Sequence, residues 1–405
     1  MNTFKMTGTL GLPKETEKFK PYSERTSDSG WQMNKLRVNA TCGDNRHMLS
    51  IDAGYWKDEH GDIYVFTKGG VDDNGNKIKG ETIKIPFKDR LTDPRLSEVA
   101  EFRKFVVDTE VRGRRYALQN ALDKIKEGKE ITAEELAAMG VESESEISVE
   151  FEKSKKKRKE FISEKDFIDH IKKVVESGKY KDKLFDISGN IVSELNRQNG
   201  QFYTKYVPNR IYLAASDAEP MCEADIKLYY GKDGLDTLSV EEKGKYYLNG
   251  YVFEYNSETK KNDLPVPVTL VLDKENPGRE KWDKIVSKFL KYFTVDGDEF
   301  KEMGLKVKML NGAQKEELKI EDLDEETQEN IELGLITIED VKKELGISNV
   351  YGDRIQEYRI DGLMNGYSKG AVDTTYVEDD FTIKVAETDE EVDAILDGMD
   401  DEDDI

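Results

Sequence analysis

Histidine and cysteine are scarce in this chain of 405 residues, and long apolar runs are lacking. Cys42 and Cys222 are far apart in the sequence and match no metal-binding spacing, so we expect two free thiols in a reducing compartment. No stretch is apolar enough for a signal peptide or a membrane-spanning helix. These shortages predict a cytoplasmic protein without disulfide bonds.

Motifs typical of enzymes are also missing. The three histidines, His47, His60 and His170, have no useful mutual spacing. The stretch TKGGVDDNGNKIKG lacks the ending of a phosphate-binding loop, and the turns DDNGN and VDGDEF lack the alternating acids of a calcium loop. Abundant carboxylates leave a two-metal nuclease open, although no pair stands out. We therefore expect a binding protein without cofactor or metal, rather than an enzyme.

The charge of the chain is strongly negative overall but unevenly distributed. With 62 Lys and Arg against 85 Asp and Glu, the net charge is −23, which by itself argues against a nucleic-acid-binding protein. Residues 376–405, however, carry fourteen acids and one base, a net charge of −13. Residues 1–115 carry 21 bases and 18 acids, a net charge of +3. The overall charge therefore does not exclude binding of an anion by the N-terminal part.

Periodicity divides the chain into β-rich and helical parts. Short alternating strands separated by turn signals predict β structure in 1–115 and again in 181–375. Helical spacing begins near residue 94, and residues 116–180 are predicted to be a helical insertion that includes a charged linker from about residue 141. The acidic segment 376–405 has no apolar period and is predicted to be disordered. The fold class expected is a mixed, β-rich α+β protein.

Three predicted strands share one shape. KMTGTLG, FDISGNI and YRIDGLMNG each alternate apolar and polar residues around a central glycine, at Gly8, Gly189 and Gly362. Glycine inside a strand indicates a bulge or a sharp bend. The first strand of a small five-stranded barrel needs such a bend. We therefore predict two OB-like (oligonucleotide-binding) barrels, 1–115 and 181–375, the second also holding a helical insertion. A β-sandwich with glycines in its strands is the alternative.

The opening segment GTLGLPKETEKFKPYSERTSDSGWQMNKLRVNAT resembles the start of bacterial and phage single-stranded DNA-binding proteins. Those proteins begin with a glycine-bearing strand, a charged loop, and a second strand with aromatic and basic residues. The closing MDDEDDI is similar to their acidic C-terminal tails, although it ends in Ile405 and lacks the familiar Pro-Phe pair. This chain is also longer. The resemblance implies a divergent, phage-encoded member acting in the host bacterial cytoplasm.

Sequence-tolerant binding of a single strand needs aromatic faces for bases and cations for phosphates. Both residue types cluster in the two β-rich parts and at the start of the helical part. The predicted DNA-contacting residues are Trp31, Lys35, Arg37, Arg46, Tyr55, Trp56, Tyr64, Arg112, Arg114, Arg115, Tyr203, Lys205, Tyr206, Arg210 and Tyr212.

Packing is an alternative reading for many of these residues. In an alternating strand one face belongs to the core, so about half of the aromatic residues should pack inside. Trp31 fits a core position as well as a stacking position, and the Arg112–Arg115 run fits a solvated helix start. The run KSKKKRK, from Lys153 to Lys159, can hold phosphates or the chain's own acidic tail.

The leading hypothesis is a protein that coats single-stranded DNA during phage replication or recombination. The predicted partners are the DNA and, through the tail, replication or recombination proteins. An acidic DNA mimic that inhibits a host defence protein and a structural phage protein are the alternatives. The tail is expected to compete with DNA for the basic groove and to dock on partners through Asp400, Asp401, Glu402, Asp403, Asp404 and Ile405.

Overall fold

The computed structural model describes residues 2–56, 61–71, 77–276, 278–316, 320, 323–344 and 350–383. Strands make up 43% and helices 26% of the structure, so the prediction of a β-rich α+β chain is confirmed. Fifteen of the strands belong to one large mixed sheet. None of the helices within the described ranges is long and apolar enough to cross a membrane.

The strands are β1 (Asn2–Gly11), β2 (Tyr22–Thr26), β3 (Trp31–Cys42), β4 (Asn45–Trp56), β5 (Asp62–Phe66), β6 (Gly70–Val71), β7 (Lys77–Ile78), β8 (Thr82–Pro86), β9 (Phe105–Asp108), β10 (Arg158–Phe161), β11 (Leu184–Asn196), β12 (Gln201–Leu213), β13 (Met221–Tyr230), β14 (Leu235–Asp236), β15 (Lys245–Asn256), β16 (Lys261–Asp273), β17 (Lys301–Glu316), β18 (Val350–Leu363) and β19 (Val372–Asp373). The helices are α1 (Arg112–Lys126), α2 (Ala133–Met139), α3 (Glu144–Lys156), α4 (Glu164–Glu176), α5 (Val240–Lys243), α6 (Trp282–Phe293), α7 (Glu325–Glu332) and α8 (Ile338–Glu344).

Five strands close into a first ring. β1 pairs antiparallel with both β11 and β3, β3 pairs with β4, β4 pairs parallel with β12, and β12 pairs with β11. Gly8 lies between Thr7, the last residue of β1 that pairs with β13, and Thr9, the first that pairs with β3, and a Cβ atom there would lie 2.5 Å from the carbonyl oxygen of Thr41. Only glycine therefore fits this close approach.

A second ring repeats the same order of pairing. β13 pairs antiparallel with β15 and β17, β15 pairs with β16, β16 pairs parallel with β18, and β18 pairs with β17. In chain order, each ring runs first, second, third, fifth, fourth strand and back to the first. In each ring, a helix from the connection between the third and fourth strands packs its apolar face against the core. This helix is α4 in the first ring and α6 in the second.

The two rings share one hydrophobic core cluster and are joined by an antiparallel pairing of β1 with β13. Tyr206 of the first ring and Tyr358 of the second place their hydroxyl oxygens 2.8 Å apart. His47 lies 1% exposed between the rings, with Nε2 3.4 Å from the carbonyl oxygen of Met309. Cys42 and Cys222 are buried and free.

The elements from β5 to β10, which precede α4 in the chain, form an insertion beside the first ring. Helices α1, α2 and α3 pack around their own cluster, which includes Leu118, Met139 and Ile147. β5 and β8 form a separate hairpin, whose Val65 and Ile85 pack against Val99. The strands β9 and β10 attach the insertion to the edge of the ring through β12.

Four local expectations differ from the structure. The acidic segment predicted to be disordered starts at residue 376, but residues 376–383 are ordered, because a 3-10 turn at Glu378–Phe381 packs the ring of Phe381 on Phe300. The predicted helix near residues 94–109 is wrong, because short 3-10 turns at Pro94–Glu98 and Glu101–Arg103 lead into β9, where pairing with β10 and β12 outweighs helical spacing. The predicted charged linker contains α3, whose Ile147 and Phe151 are buried. The boundary predicted between the barrels also differs, since β11 and β12 complete the first ring by pairing along β1 and against β4.

Candidate nucleic-acid interface

The outer side of the β3–β4 hairpin carries five of the fifteen predicted residues, namely Trp31, Lys35, Arg37, Arg46 and Trp56. On β3 the even-numbered residues from Asn34 to Cys42 are buried, so the odd-numbered ones face outward. We call the outward residues of this hairpin, with their neighbours on β11 and β12, the hairpin face. It consists of Trp31, Met33, Lys35, Arg37, Arg46, Met48, Asp52, Gly54, Trp56, Glu194 and Lys205.

Two tryptophans stand opposite each other at one end of the hairpin face. Trp31 is the register partner of Trp56. A Cβ atom at Gly54 would lie 2.3 Å from Cζ2 of Trp31, so the absence of a side chain at Gly54 lets the indole lie against β4. Trp56 is 40% exposed. This end of the hairpin therefore offers indole surface that the core does not use.

The tryptophans share an open cleft of about 250 Å³ with two tyrosines. Tyr64, on β5, is 65% exposed and extends the aromatic surface. Tyr55 forms the inner wall: its ring is stacked on Phe87 with centroids 4.7 Å apart, and its hydroxyl donates to Oε1 of Gln32 at 2.9 Å. Burial, with the nearby Glu24 carboxylate, raises the pKa of Tyr55, which therefore stays protonated. The β3–β4 hairpin and the following strand β5 thus bring four predicted aromatic residues to one place.

A chain of ion pairs crosses the hairpin face. Nη1 of Arg37 lies 2.6 Å from Oδ1 of Asp52, whose Oδ2 lies 3.1 Å from Nζ of Lys205. Lys205 also pairs with Glu194 at 2.5 Å. Burial alone would raise the pKa of the Asp52 carboxyl, but the hydrogen bonds and charges of Arg37 and Lys205 outweigh it and hold the pKa below its ordinary value. Asp52 therefore stays ionised and keeps both cations in position.

Two further cations are left for an outside anion. Lys35 and Arg46 make no ion pair within the described part of the chain, and Arg46 is exposed. Together with Arg37 and Lys205 they give the hairpin face four cations against two carboxylates, Asp52 and Glu194. Although the chain as a whole is acidic, this face carries a surplus of positive charge.

Three predicted residues on β12 lie outward beside or beyond the hairpin face. Tyr203 is 47% exposed, and its hydroxyl accepts from Nδ2 of Asn199 at 3.0 Å. Tyr212 lies at the other end of β12, with the guanidinium of Arg112 5.1 Å from its ring centroid. Arg210 donates to the carbonyl oxygens of Glu101 at 2.9 Å and Lys104 at 3.5 Å. Arg210 is thereby occupied in holding the insertion against the ring.

Arg114 and Arg115 lie inside the helical insertion, away from the hairpin face. Arg114 donates to the carbonyl oxygen of Met139 and pairs with Glu110 and Glu150. Arg115 forms a bidentate ion pair with Asp108, whose side chain is fully buried. Arg115 also donates a hydrogen bond to the carbonyl oxygen of Ser154 at 2.8 Å. Their guanidinium groups are engaged in holding α1 to α3 and β9.

The basic run KSKKKRK is largely paired within the insertion. Lys153 pairs with Glu150, and Lys155 with Glu152, each across one helical turn. Lys157 pairs with Glu110 at 2.8 Å, and Arg158 pairs with Glu160 at 2.8 Å. These pairs are mostly solvent-exposed and contribute little stability, so an anion could still exchange with them.

Tyr206 faces inward, toward the contact between the rings. Its ring meets Phe4 at 5.7 Å and His47 at 5.3 Å, both edge to face. Burial strongly raises the pKa of its hydroxyl. The structure thus gives Tyr206 the surroundings of a packing residue, as the alternation of β12 allowed. The tail residues Asp400–Ile405 lie outside the described residues.

Two groups of residues relevant to binding were not singled out from the sequence. Met33 and Asp52 also belong to the hairpin face. The alternation of β3 and β4 places Met33 on the same side as Trp31 and Asp52 on the same side as Trp56, so the sequence pattern could have identified both. The second group, Tyr251, Phe253, Phe300, Tyr376 and Phe381, forms an aromatic cluster with Tyr229 on the second ring. The alternation in YVFEYN was visible, but the contact of Phe381 with it is non-local.

Comparison with family models and with curated proteins does not identify a relative of this chain. No family model matches the chain, and no curated protein matches it at a significant level. Within the described residues, His, Cys, Asp and Glu side chains form no group of three or more that could hold a metal ion. The hairpin face is therefore the feature from which a function can be inferred.

Proposed function

We propose that this protein binds single-stranded DNA on the hairpin face of its first ring, without strong sequence preference. The observation that carries the proposal is the juxtaposition of Trp31, Trp56 and Tyr64 around one open cleft, beside a face with a surplus of cations. Unpaired bases of any sequence can stack on exposed aromatic rings, whereas the faces of bases in a duplex are already covered by their neighbours. The cations supply contacts to the phosphates.

We further propose that each ring is an OB-type barrel. Supporting this are the five strands per ring, the closed circuit of pairings, and the identical strand order in both rings. OB folds are five-stranded Greek-key barrels that bind oligonucleotides on the face of their second and third strands. The hairpin face lies on the second and third strands of the first ring.

The biological setting follows from the resemblance and stays a proposal. A protein of this kind coats single-stranded DNA during phage replication or recombination and acts as a binding protein, not an enzyme. Its acidic tail competes with DNA for the hairpin face by charge and recruits replication or recombination proteins. Deleting 397–405 should tighten DNA binding, most clearly at low salt, where charge competition is least screened.

Titration of labelled oligo-dT and of a duplex of equal length, each at two salt concentrations, tests the proposal. We expect salt-dependent binding that is selective for the single strand. The double variant Trp56→Ala, Tyr64→Ala should weaken oligo-dT binding at least about tenfold, because a stacked base contributes about 1–3 kcal/mol. Trp56 is 40% and Tyr64 65% exposed, and neither belongs to a core cluster, so the variant should fold.

Tyr116→Ala is the matched control, since Tyr116 is 61% exposed but lies on α1 in the insertion. It should bind oligo-dT as the unaltered protein does. Failure to bind either nucleic acid would favour the DNA-mimic or structural alternatives. Equal losses in the control and the double variant would remove the hairpin face as the binding site.

A further inference from the structure

The outer side of the second ring carries an aromatic surface that the chain itself covers. Tyr251 and Phe253 alternate outward on β15, and Tyr229 and Phe300 adjoin them. Residues 372–383, which we call the strap, cross this surface. The Phe381 ring stacks on Phe300 with centroids 4.1 Å apart and an interplanar angle of 26°, and on Phe253 at 5.3 Å and 20°.

The second aromatic residue of the strap is held less tightly. Tyr376 meets Tyr229 edge to face at 5.3 Å and Phe253 at 5.1 Å, yet it remains 36% exposed. At its start the strap is anchored by backbone: Val372 and Asp373 pair with β17, and Thr374 donates twice to the carbonyl oxygen of Phe300, at 3.1 Å from N and 2.6 Å from Oγ1. The strap is thus fixed at one end, and aromatic stacking holds its remainder.

Part of the covered surface corresponds to the hairpin face: Tyr251 and Phe253 lie on β15, whereas Tyr229 lies on β13 and Phe300 directly precedes β17. In the first ring that face lies on the second and third strands, β3 and β4; in the second ring the second and third strands are β15 and β16. A cleft of about 460 Å³ stays open beside Phe381, lined by Tyr251, Thr269 and Lys232, among others. The second ring therefore has a partly open aromatic groove where the first ring has its proposed binding site.

The strap combines the two chemical features of a single DNA strand. Between its aromatic residues Tyr376 and Phe381 it carries three successive carboxylates, Glu378, Asp379 and Asp380. Its aromatic rings stack on the rings of the surface, as bases can, and its carboxylates carry negative charge, as phosphates do. Lys232, at the edge of the cleft, is paired with Asp298 at 2.6 Å in an exposed contact that an anion can replace.

We propose that the outer face of β15–β16 is a second binding surface for single-stranded DNA, and that Phe381 and Tyr376 of the strap occupy the positions of its bases until DNA displaces them. This inference rests on the function proposed for the first ring. It implies that a long strand engages both rings and that the covering of the second ring lowers its apparent affinity.

Hydrogen exchange of the full chain, with and without a long oligo-dT, tests the proposal without altering the protein. We expect oligo-dT to slow exchange in β3 and β4 and to speed exchange in residues 374–383 as the strap leaves. Slower exchange in β3–β4 with an unchanged strap would overturn the second surface and leave the first-ring proposal standing. No oligo-dT binding at all would overturn both.

Variants of the strap give an independent measure. Phe381→Ala should raise affinity for long oligo-dT by up to about tenfold, the gain expected if the groove is open a tenth of the time in the unaltered chain. Adding Tyr251→Ala to that variant should cancel the gain by removing a stacking ring. Val377→Ala is the matched control, because Val377 lies in the strap but is 54% exposed. A folded Phe381→Ala variant with unchanged affinity would contradict the proposal.

Discussion

At the scale of single residues, exposure separates aromatic rings that can stack bases from those that pack the fold. Trp56 and Tyr64 are 40% and 65% exposed, whereas Tyr206 is enclosed by Phe4, His47 and Tyr358. Cations divide in the same way: Arg46 is exposed, while Arg210 is bound to backbone carbonyls. From their residue types, all five were predicted to contact DNA. Their surroundings in the structure separate the exposed side chains of Trp56, Tyr64 and Arg46 from those of Tyr206 and Arg210, which are engaged in the fold.

Tyr206→Phe should reduce stability and leave DNA binding intact. The change removes a hydroxyl 2.8 Å from that of Tyr358 and leaves the latter buried without this partner, which costs about 1–3 kcal/mol. Urea unfolding measures the loss, and oligo-dT titration checks the affinity. Tyr203→Phe is the control, because its hydroxyl lies at the surface. Weakened DNA binding by a stable Tyr206→Phe protein would return Tyr206 to the interface.

Replacing Lys35 and Arg46 with Ala should flatten the salt dependence of DNA binding. Each phosphate contact on a single strand contributes about −0.7 to the slope of log K against log salt, so the pair should change it by about 1.4. Arg210→Ala serves as the control, since its guanidinium is engaged by Glu101 and Lys104. An unchanged slope in the double variant would move the phosphate path elsewhere, with Lys153–Lys159 as the next candidate.

At the scale of elements, the helical insertion is a separately packed unit attached to the first ring by an edge. Its cluster around Leu118 and Ile147 is separate from the main core, and β9 and β10 connect it to β12. The pair of Arg115 with the fully buried Asp108 links α1 to β9. The insertion should therefore be able to loosen while both rings persist.

Arg115→Ala should destabilise this unit selectively. The substitution leaves the Asp108 carboxylate buried without its cation, which costs about 3–5 kcal/mol. Hydrogen exchange should become faster in α1 and α3 and stay slow in β3 and β11, and affinity for oligo-dT should be retained. Arg112→Ala is the control, because Arg112 is exposed and lies in the first turn of the same helix. Equal loosening of the rings would show that the insertion and rings unfold as one.

At the scale of the whole molecule, the contact between the rings contains a group that responds to pH. Burial lowers the pKa of His47 to about 4, against an ordinary value of 6.5, although its contact with the Met309 carbonyl acts in the opposite direction. Nδ1 of His47 has no hydrogen-bond partner among the described residues. The imidazole of His47 between the joined rings therefore stays neutral at pH values between about 4 and 6.5, at which a solvent-exposed histidine would be protonated.

Acid should therefore weaken the joined rings between about pH 6.5 and 4. In that interval the unfolded chain takes up a proton on His47 and the folded chain does not, so the free energy of unfolding falls by up to about 3 kcal/mol as the pH decreases. Urea unfolding across this range should show a smaller fall in His47→Gln than in the unaltered protein. Parallel pH profiles for the two proteins would contradict this account.

Local patterns in the sequence by themselves determined the strands, several helix ends and the sharing of faces. The alternation of β3 placed Trp31, Lys35 and Arg37 on one side, because successive side chains of a strand point to opposite faces. The spacing of Thr132 and Glu135 is that of a capping box, which the structure contains, and α2 ends at Gly140 in a left-handed conformation. Such features depend on neighbours a few residues away, so they can be read without the fold.

Only the tertiary structure decided which faces meet the core and which strands pair. β12 has aromatic residues on both sides, and alternation cannot tell which side is covered; packing against Phe4 and His47 turned Tyr206 inward and left Tyr203 outside. β11 pairs with β1 although more than 170 residues separate the paired positions in the sequence. Phe381 stacks on Phe300, which lies about 80 residues earlier in the sequence. Such choices depend on the summed burial of distant segments, which no local pattern contains.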